Sequence, residues 1–109
     1  MFSFLRHRTP EISVEELDQI RRDRGVRVID VREDHEFRRG HVPGALHVPL
    51  KQLPARAERL PRTVRYVVIC QSGSRSRGAT DFLIAEGFED AVSVRGGTRA
   101  WARDGRPLE

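Results

Sequence analysis

The chain has 109 residues, a length that suits a single domain. No apolar run approaches the roughly 20 residues that a membrane-spanning helix needs, and the single cysteine excludes an internal disulfide or a cysteine-rich zinc site. The formal net charge is +4, but the arginines are scattered and interleaved with 16 acidic residues. This pattern favours dispersed surface charge over a nucleic-acid-binding face.

The N-terminal segment reads MFSFLRHRTP and lacks the apolar core of a secretory signal. We expect residues 1–10 to form a short arm and residues 11–109 to form one domain. The lone thiol and the missing signal together predict a cytoplasmic location. We expect a monomer or a weak homodimer, with no contact to membranes or nucleic acid.

The first half of the chain predicts a helix followed by short strands. Ser13 caps a helix over residues 13–24, Glu16 completes a capping box, and Gly25 supplies a left-handed residue at its end. Breakers and β-branched residues then predict three further segments: a strand at 27–32, a helical turn at 33–39 and a strand at 45–48.

The second half alternates helices and strands more clearly. A helix over residues 50–60 accommodates Pro54 in its first turn, and the residues from 64 to 70 form the most apolar strand. The remaining segments are a helix at 75–86 closed by Gly87, a strand at 91–94 and a helix at 98–103. Because strands alternate with helices throughout, we predict an α/β fold with a mostly parallel central sheet and helices on both faces.

The candidate site lies where the most apolar strand ends. Cys70 is the last residue of that strand, and ligands bind beyond the carboxyl ends of parallel strands. Gly73 permits the left-handed turn that aims backbone N–H groups inward, and Arg75 adds a permanent positive charge. A thiol in such a loop has a lowered pKa and is nucleophilic. The plainer alternative is a buried, inert cysteine.

Three motifs occur at separate points along the chain. They are Cys70-Gln-Ser-Gly-Ser-Arg-Ser76, then Asp30-Val-Arg-Glu33 with Glu36-Phe37 and Gly40-His-Val-Pro-Gly-Ala45, and finally Gly96-Gly97 with Ala100-Trp101 and Gly105-Arg-Pro107. Together they resemble the rhodanese family of sulfurtransferases. They occur in the order that the family shows and together span most of the chain. Thr98 departs from the pattern, because many members have a large apolar or aromatic residue there.

The resemblance implies a double displacement at sulfur. Cys70 takes a sulfane sulfur from thiosulfate or a similar donor, and a small thiol, cyanide or a protein acceptor removes it from the resulting persulfide. Arg75 binds the donor. The loop residues Gln71, Ser72, Gly73 and Ser74 also contact the donor, and Ser76 has a supporting position. The reaction needs no metal and no organic cofactor.

Asp30 and Arg32 end a neighbouring strand, and we expect them to brace the Cys70 loop. His41 and His47 are expected to pack in a loop rather than to transfer protons. Two alternative functions stay open. One is a persulfide carrier with little thiosulfate turnover. The other is a cysteine-dependent phosphatase or arsenate reductase, although those families have a longer segment between the cysteine and the arginine and a phosphatase needs a general acid.

Overall fold

A computed structural model describes residues 8–109, and their strands form one five-stranded sheet. The strands are β1 (Glu11–Ile12), β2 (Val26–Asp30), β3 (Leu46–His47), β4 (Arg65–Ile69) and β5 (Ala91–Val94). They lie in the order β1-β5-β4-β2-β3, which places β4 at the centre. Every pairing in this sheet is parallel, which confirms the predicted α/β architecture.

Helices cover both faces of the sheet. They are α1 (Val14–Ile20), α2 (Asp34–Arg38), α3 (Leu53–Ala57), α4 (Ser74–Ala85) and α5 (Gly97–Arg103). Tyr66 and Val68 of β4 pack into a core with α3 and α4, whereas Val67 and Ile69 pack into a second core with α1 and α5. Because successive strand residues point to opposite faces, a strand buried on both sides is apolar throughout, as predicted for β4.

Three features of the predicted first half were wrong in detail. The helix after Ser13 has the predicted capping box with Glu16, but it ends at Ile20, and Gly25 has no positive φ. The N–H of Asp23 donates to the carbonyl of Ile20, so a turn closes this helix one turn earlier than the pattern suggests. The two-residue strand β1 was not predicted, because so short a segment forms only by pairing with β5.

The segment predicted as a helix over 50–60 is a 3₁₀ turn at Leu50–Gln52 followed by α3, with Pro54 in the first turn of α3 as expected. Gly87 has φ +95° and the N–H of Phe88 donates to Leu83, which confirms the predicted closure of α4. Most of the expected arm, residues 1–7, lies outside the described residues. None of the helices at residues 8–109 is long and apolar enough to cross a membrane.

Candidate active site

Cys70 lies one residue past β4, at the carboxyl edge of the sheet and next to its centre. The chain then turns through a short loop into α4, which begins at Ser74. Gly73 makes this turn with φ +106°, a backbone conformation that residues with a Cβ rarely adopt. The local sequence therefore places the thiol inside the turn rather than along the strand.

Backbone amides converge on the sulfur of Cys70. The N–H of Gly73 donates to Sγ over 3.1 Å, and the N–H of Ser76 donates to it over 3.3 Å. The hydroxyl oxygen of Ser76 lies 3.4 Å from Sγ, where it accepts from the protonated thiol. The peptide nitrogens face the sulfur, as the sequence predicts for this loop.

These contacts favour the thiolate. Burial opposes ionisation, but hydrogen bonds from the Ser76 side chain and from the backbone of Ser76, Gly73 and Ser72 outweigh it, so the pKa of Cys70 lies below its ordinary value. A lowered pKa raises the fraction of the nucleophilic form at neutral pH. The inert-cysteine alternative does not account for these donors, because a core thiol needs none of them.

A second hydroxyl supports Ser76. The Ser93 hydroxyl lies 2.8 Å from the Ser76 hydroxyl, and both side chains are fully buried. In the thiol form Ser76 donates to the carbonyl of Gly73 over 3.1 Å. Because the Ser93 hydroxyl can donate to the Ser76 oxygen, the Ser76 proton is free to bond either the carbonyl of Gly73 or a Cys70 thiolate. Ser93 was missed by the sequence analysis, although a polar residue between valines in a buried strand is a signal for it.

The N-terminus of α5 fixes the orientation of the loop. The N–H of Thr98 donates to the carbonyl of Cys70 over 2.8 Å, and that of Arg99 donates to the carbonyl of Gln71 over 3.0 Å. Because a trans peptide directs its C=O and N–H in opposite directions, anchoring the Gln71 carbonyl turns the N–H of Ser72 away from α5 and toward the sulfur. Thr98 thus contributes through its backbone.

Gly97 is what lets α5 approach so closely. A Cβ at Gly97 would lie 2.2 Å from the carbonyl oxygen of Cys70 and 2.5 Å from that of Gln71. No side chain fits at that separation, and the residue also has φ +59°. Gly97 is therefore required for the geometry of the thiol site, although it lies 27 positions after Cys70 in the chain.

A thiol that exchanges sulfur with soluble ligands is expected to be open to solvent, and in this structure it is not. Cys70 is only 1% exposed, because the loop and the N-terminal turn of α4 close around it. Gln71, Ser72 and Ser74 have exposed side chains on the solvent side of the loop, where they are available to a ligand. The Ser76 side chain contacts the sulfur through its hydroxyl.

Arg75 is engaged by a carboxylate. Its two terminal nitrogens each donate to Glu36 of α2 over 2.8 Å. The Arg75 guanidinium lowers the pKa of Glu36 to about 2, so Glu36 is ionised at neutral pH. This pair joins α2 to α4 beside the thiol loop, and the side chain of Arg75 remains 35% exposed.

Asp30 and Arg32 form a buried ion pair, but they brace a different loop from the one expected. Asp30 accepts from the backbone N–H, Nε and Nη2 of Arg32 at 2.8–3.1 Å. Arg32 also donates to the carbonyl of Gly40 over 2.8 Å. Within residues 8–109, these side chains form no hydrogen bond to the Cys70 loop, because the chain after β2 turns toward α2 and Gly40 instead.

The two histidines of this region pack against α2 as expected. The rings of His41 and His47 stack on Phe37, with centroid separations of 3.7 and 4.3 Å. Each ring also donates to a backbone carbonyl, His41 to Phe37 and His47 to Arg32. Both rings are therefore used in loop packing.

The fold and the loop together define an α/β protein with a cysteine loop between its central strand and the following helix. A family model described as "Rhodanese-like domain" matches residues 13–104, and the chain belongs to this family. The match includes the thiol loop, Glu36 of α2 and all of α5. The family resemblance of the sequence is thereby confirmed.

Individual relatives agree with this membership. The chain is 36% identical over 99 residues to a protein of Allochromatium vinosum named "Sulfurtransferase", covering 90% of this chain and 92% of that protein. It is 37% identical over 93 residues to Bacillus subtilis YrkF, whose name describes a candidate sulfur carrier protein. This match covers 84% of the chain and only 50% of YrkF, so the chain spans about half the length of that relative.

A solved structure gives the same result for the fold. The crystal structure of a thiosulfate sulfurtransferase from Pseudomonas aeruginosa superposes with a TM-score of 0.85 at 29% sequence identity. The superposition covers 98% of this chain and 21% of that protein.

Proposed function

We propose that this protein is a sulfurtransferase that moves a sulfane sulfur from thiosulfate or a similar donor to a thiophilic acceptor through a persulfide on Cys70. The observation that carries the proposal is the set of N–H and hydroxyl groups around Sγ, which lower the pKa of Cys70. Its relatives named as a sulfurtransferase and as a thiosulfate sulfurtransferase support the same assignment.

In the first half-reaction the Cys70 thiolate attacks the outer sulfur of thiosulfate. The sulfur–sulfur bond of the donor breaks, its electron pair leaves with sulfite, and the transferred sulfur becomes the terminal atom of a persulfide anion. The N–H groups of Gly73 and Ser76 face Sγ, and they can also stabilise the negative charge on the terminal sulfur of the persulfide. In the second half-reaction an acceptor removes the outer sulfur and regenerates the thiolate.

Arg75 is proposed to bind the oxygens of the donor, with Gln71, Ser72 and Ser74 as secondary hydrogen-bonding groups. The pair with Glu36 uses two of the five N–H donors of the guanidinium, and the side chain is partly exposed, so donors remain on its solvent side. Glu36 offsets part of the positive charge that an anionic donor meets. We propose a cytoplasmic location as well, because the reaction requires the one cysteine to stay reduced.

The second candidate function is a persulfide carrier that delivers sulfur to a partner with little turnover of thiosulfate. The burial of Cys70 and the similarity to YrkF favour it. A thiocyanate-formation assay separates the two candidates. For an enzyme we expect rapid thiosulfate-dependent turnover that Cys70→Ser abolishes and that Arg75→Ala reduces through a higher KM. A carrier instead acquires the persulfide with negligible turnover.

A phosphatase is tested in parallel with an aryl phosphate. Phosphate release that depends on Cys70 would overturn the proposed sulfur chemistry. We expect none, because four residues separate Cys70 from Arg75 and the resulting small loop suits a single sulfur atom.

A further inference from the structure

A cavity lies between α2 and α5, and it is separate from the sulfur of Cys70. Its volume is about 450 Å³, within the range of small-molecule sites. Arg32, Gln71 and Thr98 are part of its wall, whereas Cys70 is not. A ligand that binds in this cavity therefore needs no access to the buried thiol.

Arg32 presents a fixed and unused donor to this cavity. The residue is only 6% exposed, and its Nε and Nη2 donate to Asp30 and to the carbonyl of Gly40 over 2.8–3.1 Å. Its other terminal nitrogen, Nη1, forms no hydrogen bond within residues 8–109 and keeps contact with solvent. Because Arg32 lines the cavity, the two N–H groups of Nη1 are available there to an acceptor.

Thr98 presents a second unused polar group. The residue is 7% exposed, and in the part of the chain that the structure describes its hydroxyl has no hydrogen-bond partner, although it also keeps contact with solvent. Buried polar groups are normally hydrogen-bonded, so a free hydroxyl in a cavity wall takes its partner from solvent or from a ligand. Thr98 is also where the sequence departs from the family pattern, and a larger apolar side chain here would occupy part of the cavity.

Three further arginines carry unmatched positive charge in the cavity wall. Arg39 follows α2, whereas Arg99 and Arg103 lie four residues apart on one side of α5. All three are exposed, and none forms an ion pair or a side-chain hydrogen bond with another residue of 8–109. The acidic residue of the wall, Glu36, does not neutralise them, because both of its carboxylate oxygens accept from Arg75.

These groups define the chemistry of a ligand. Arginine side chains only donate hydrogen bonds, and a concave surface with unmatched charge of one sign concentrates ligands of the opposite sign. Phosphate oxygens match the forked geometry of a guanidinium. The unmatched arginines belong to two elements, α2 and α5, so a diphosphate group, with more oxygens and more charge than a single phosphate, complements this cavity better.

We propose that the cavity between α2 and α5 binds a diphosphate group, either as the free ion or as part of a small phosphorylated molecule, at a site separate from Cys70. Arg32 Nη1 and the Thr98 hydroxyl donate to its oxygens. The three unmatched arginines neutralise its charge. This site does not depend on the sulfur chemistry proposed above.

Calorimetry at low ionic strength tests the ligand class with inorganic diphosphate, inorganic phosphate and ADP. We expect diphosphate to bind about tenfold more tightly than phosphate, and its affinity to fall as salt is added. An affinity for ADP that equals or exceeds that for diphosphate would assign the group to a larger phosphorylated molecule, and a lower one would assign it to the free ion. Absence of binding, or equal affinities for phosphate and diphosphate, would overturn the site.

Variants test the cavity wall directly. Thr98→Val removes the hydroxyl with little change in size and should weaken diphosphate binding about tenfold, and Thr98→Ile, which also fills space, should weaken it further. Arg99→Gln/Arg103→Gln should weaken it about tenfold. The matched control is Arg24→Gln/Arg59→Gln, which removes the same charge from exposed arginines that do not line the cavity, and it should keep the wild-type affinity. Equal losses in the two arginine pairs would indicate non-specific attraction and overturn the site.

Cys70→Ser distinguishes this site from the thiol loop. Because Cys70 is not part of the cavity wall, we expect the variant to bind diphosphate with the wild-type affinity. A loss of binding in Cys70→Ser would place the anion at the thiol loop and overturn the cavity site. If Cys70 never acquires sulfur, the sulfur-transfer proposal fails by itself. If diphosphate does not bind, the cavity proposal fails by itself.

Discussion

Replacing Ser76 with alanine tests how the loop lowers the pKa of Cys70. The change removes the hydroxyl that lies 3.4 Å from Sγ but keeps the backbone N–H that lies 3.3 Å away. A hydrogen bond to a charged group contributes about 1.5–3 kcal/mol, and the long contact to sulfur places this one at the lower end. We therefore expect the pKa of Cys70 to rise, with an acid dissociation constant about tenfold lower.

The ultraviolet absorbance of the thiolate measures this change without a reagent having to reach the buried sulfur. The signal is specific, because Cys70 is the only cysteine of the chain. Burial raises the pKa of Tyr66, the only tyrosine, so its own absorbance change occurs at higher pH. The titration midpoint of Ser76→Ala should lie at higher pH than that of the wild type.

Two further variants bracket this measurement. Ser93→Ala removes the hydroxyl behind Ser76, so we expect a smaller change in the same direction. Ser74→Ala changes an exposed residue and should leave the midpoint where it is. A midpoint for Ser76→Ala that equals the wild-type value or lies below it would refute the reasoning.

Three more predictions concern residues that support the site. Gly97→Ala should reduce sulfur transfer by about two orders of magnitude, because the new Cβ overlaps the loop carbonyls. The control Gly25→Ala adds a Cβ in open space and should leave the rate unchanged. Comparable kcat/KM values for the two variants would contradict the role of Gly97. In the wild type the pair of Glu36 with Arg75 should stabilise the fold by on the order of 2 kcal/mol above the ordinary carboxyl pKa, and this stabilisation is lost as the pH falls from about 4.5 to about 2. Glu36→Gln should abolish it. Urea unfolding at several pH values measures the difference, and an unaltered pH profile would count against the ion pair. Asp30→Asn should destabilise the fold by about 3 kcal/mol because it leaves the charge of Arg32 buried and unpaired, and a loss below about 1 kcal/mol in the same assay would argue against a structural role.

The parts of this protein that the sequence predicts well depend on neighbouring residues. The order of strands and helices follows from local periodicity, and the turn at Gly73 follows from the glycine between Cys70 and a helix. The capping box of Ser13 and Glu16 is likewise contained within four residues. The residues that encode these features are close together in the sequence.

The parts that were missed depend on tertiary contacts. The pair between Glu36 and Arg75 joins residues 39 positions apart, and Ser93 of β5 contacts Ser76 of α4. Gly97 reads as an ordinary helix start until the carbonyls of the thiol loop are seen against it. The sequence pattern contains each residue but not the packing of α2, β5 and α5 around the loop.

The measurement that tests the central proposal most directly is the mass of the intact protein after incubation with thiosulfate. We predict that the wild-type protein gains one sulfur atom, that a reductant removes it, and that Cys70→Ser gains none. The gain should map to the peptide that contains Cys70. An unchanged mass, with the Cys70 thiol shown to be reduced and intact, would contradict the account.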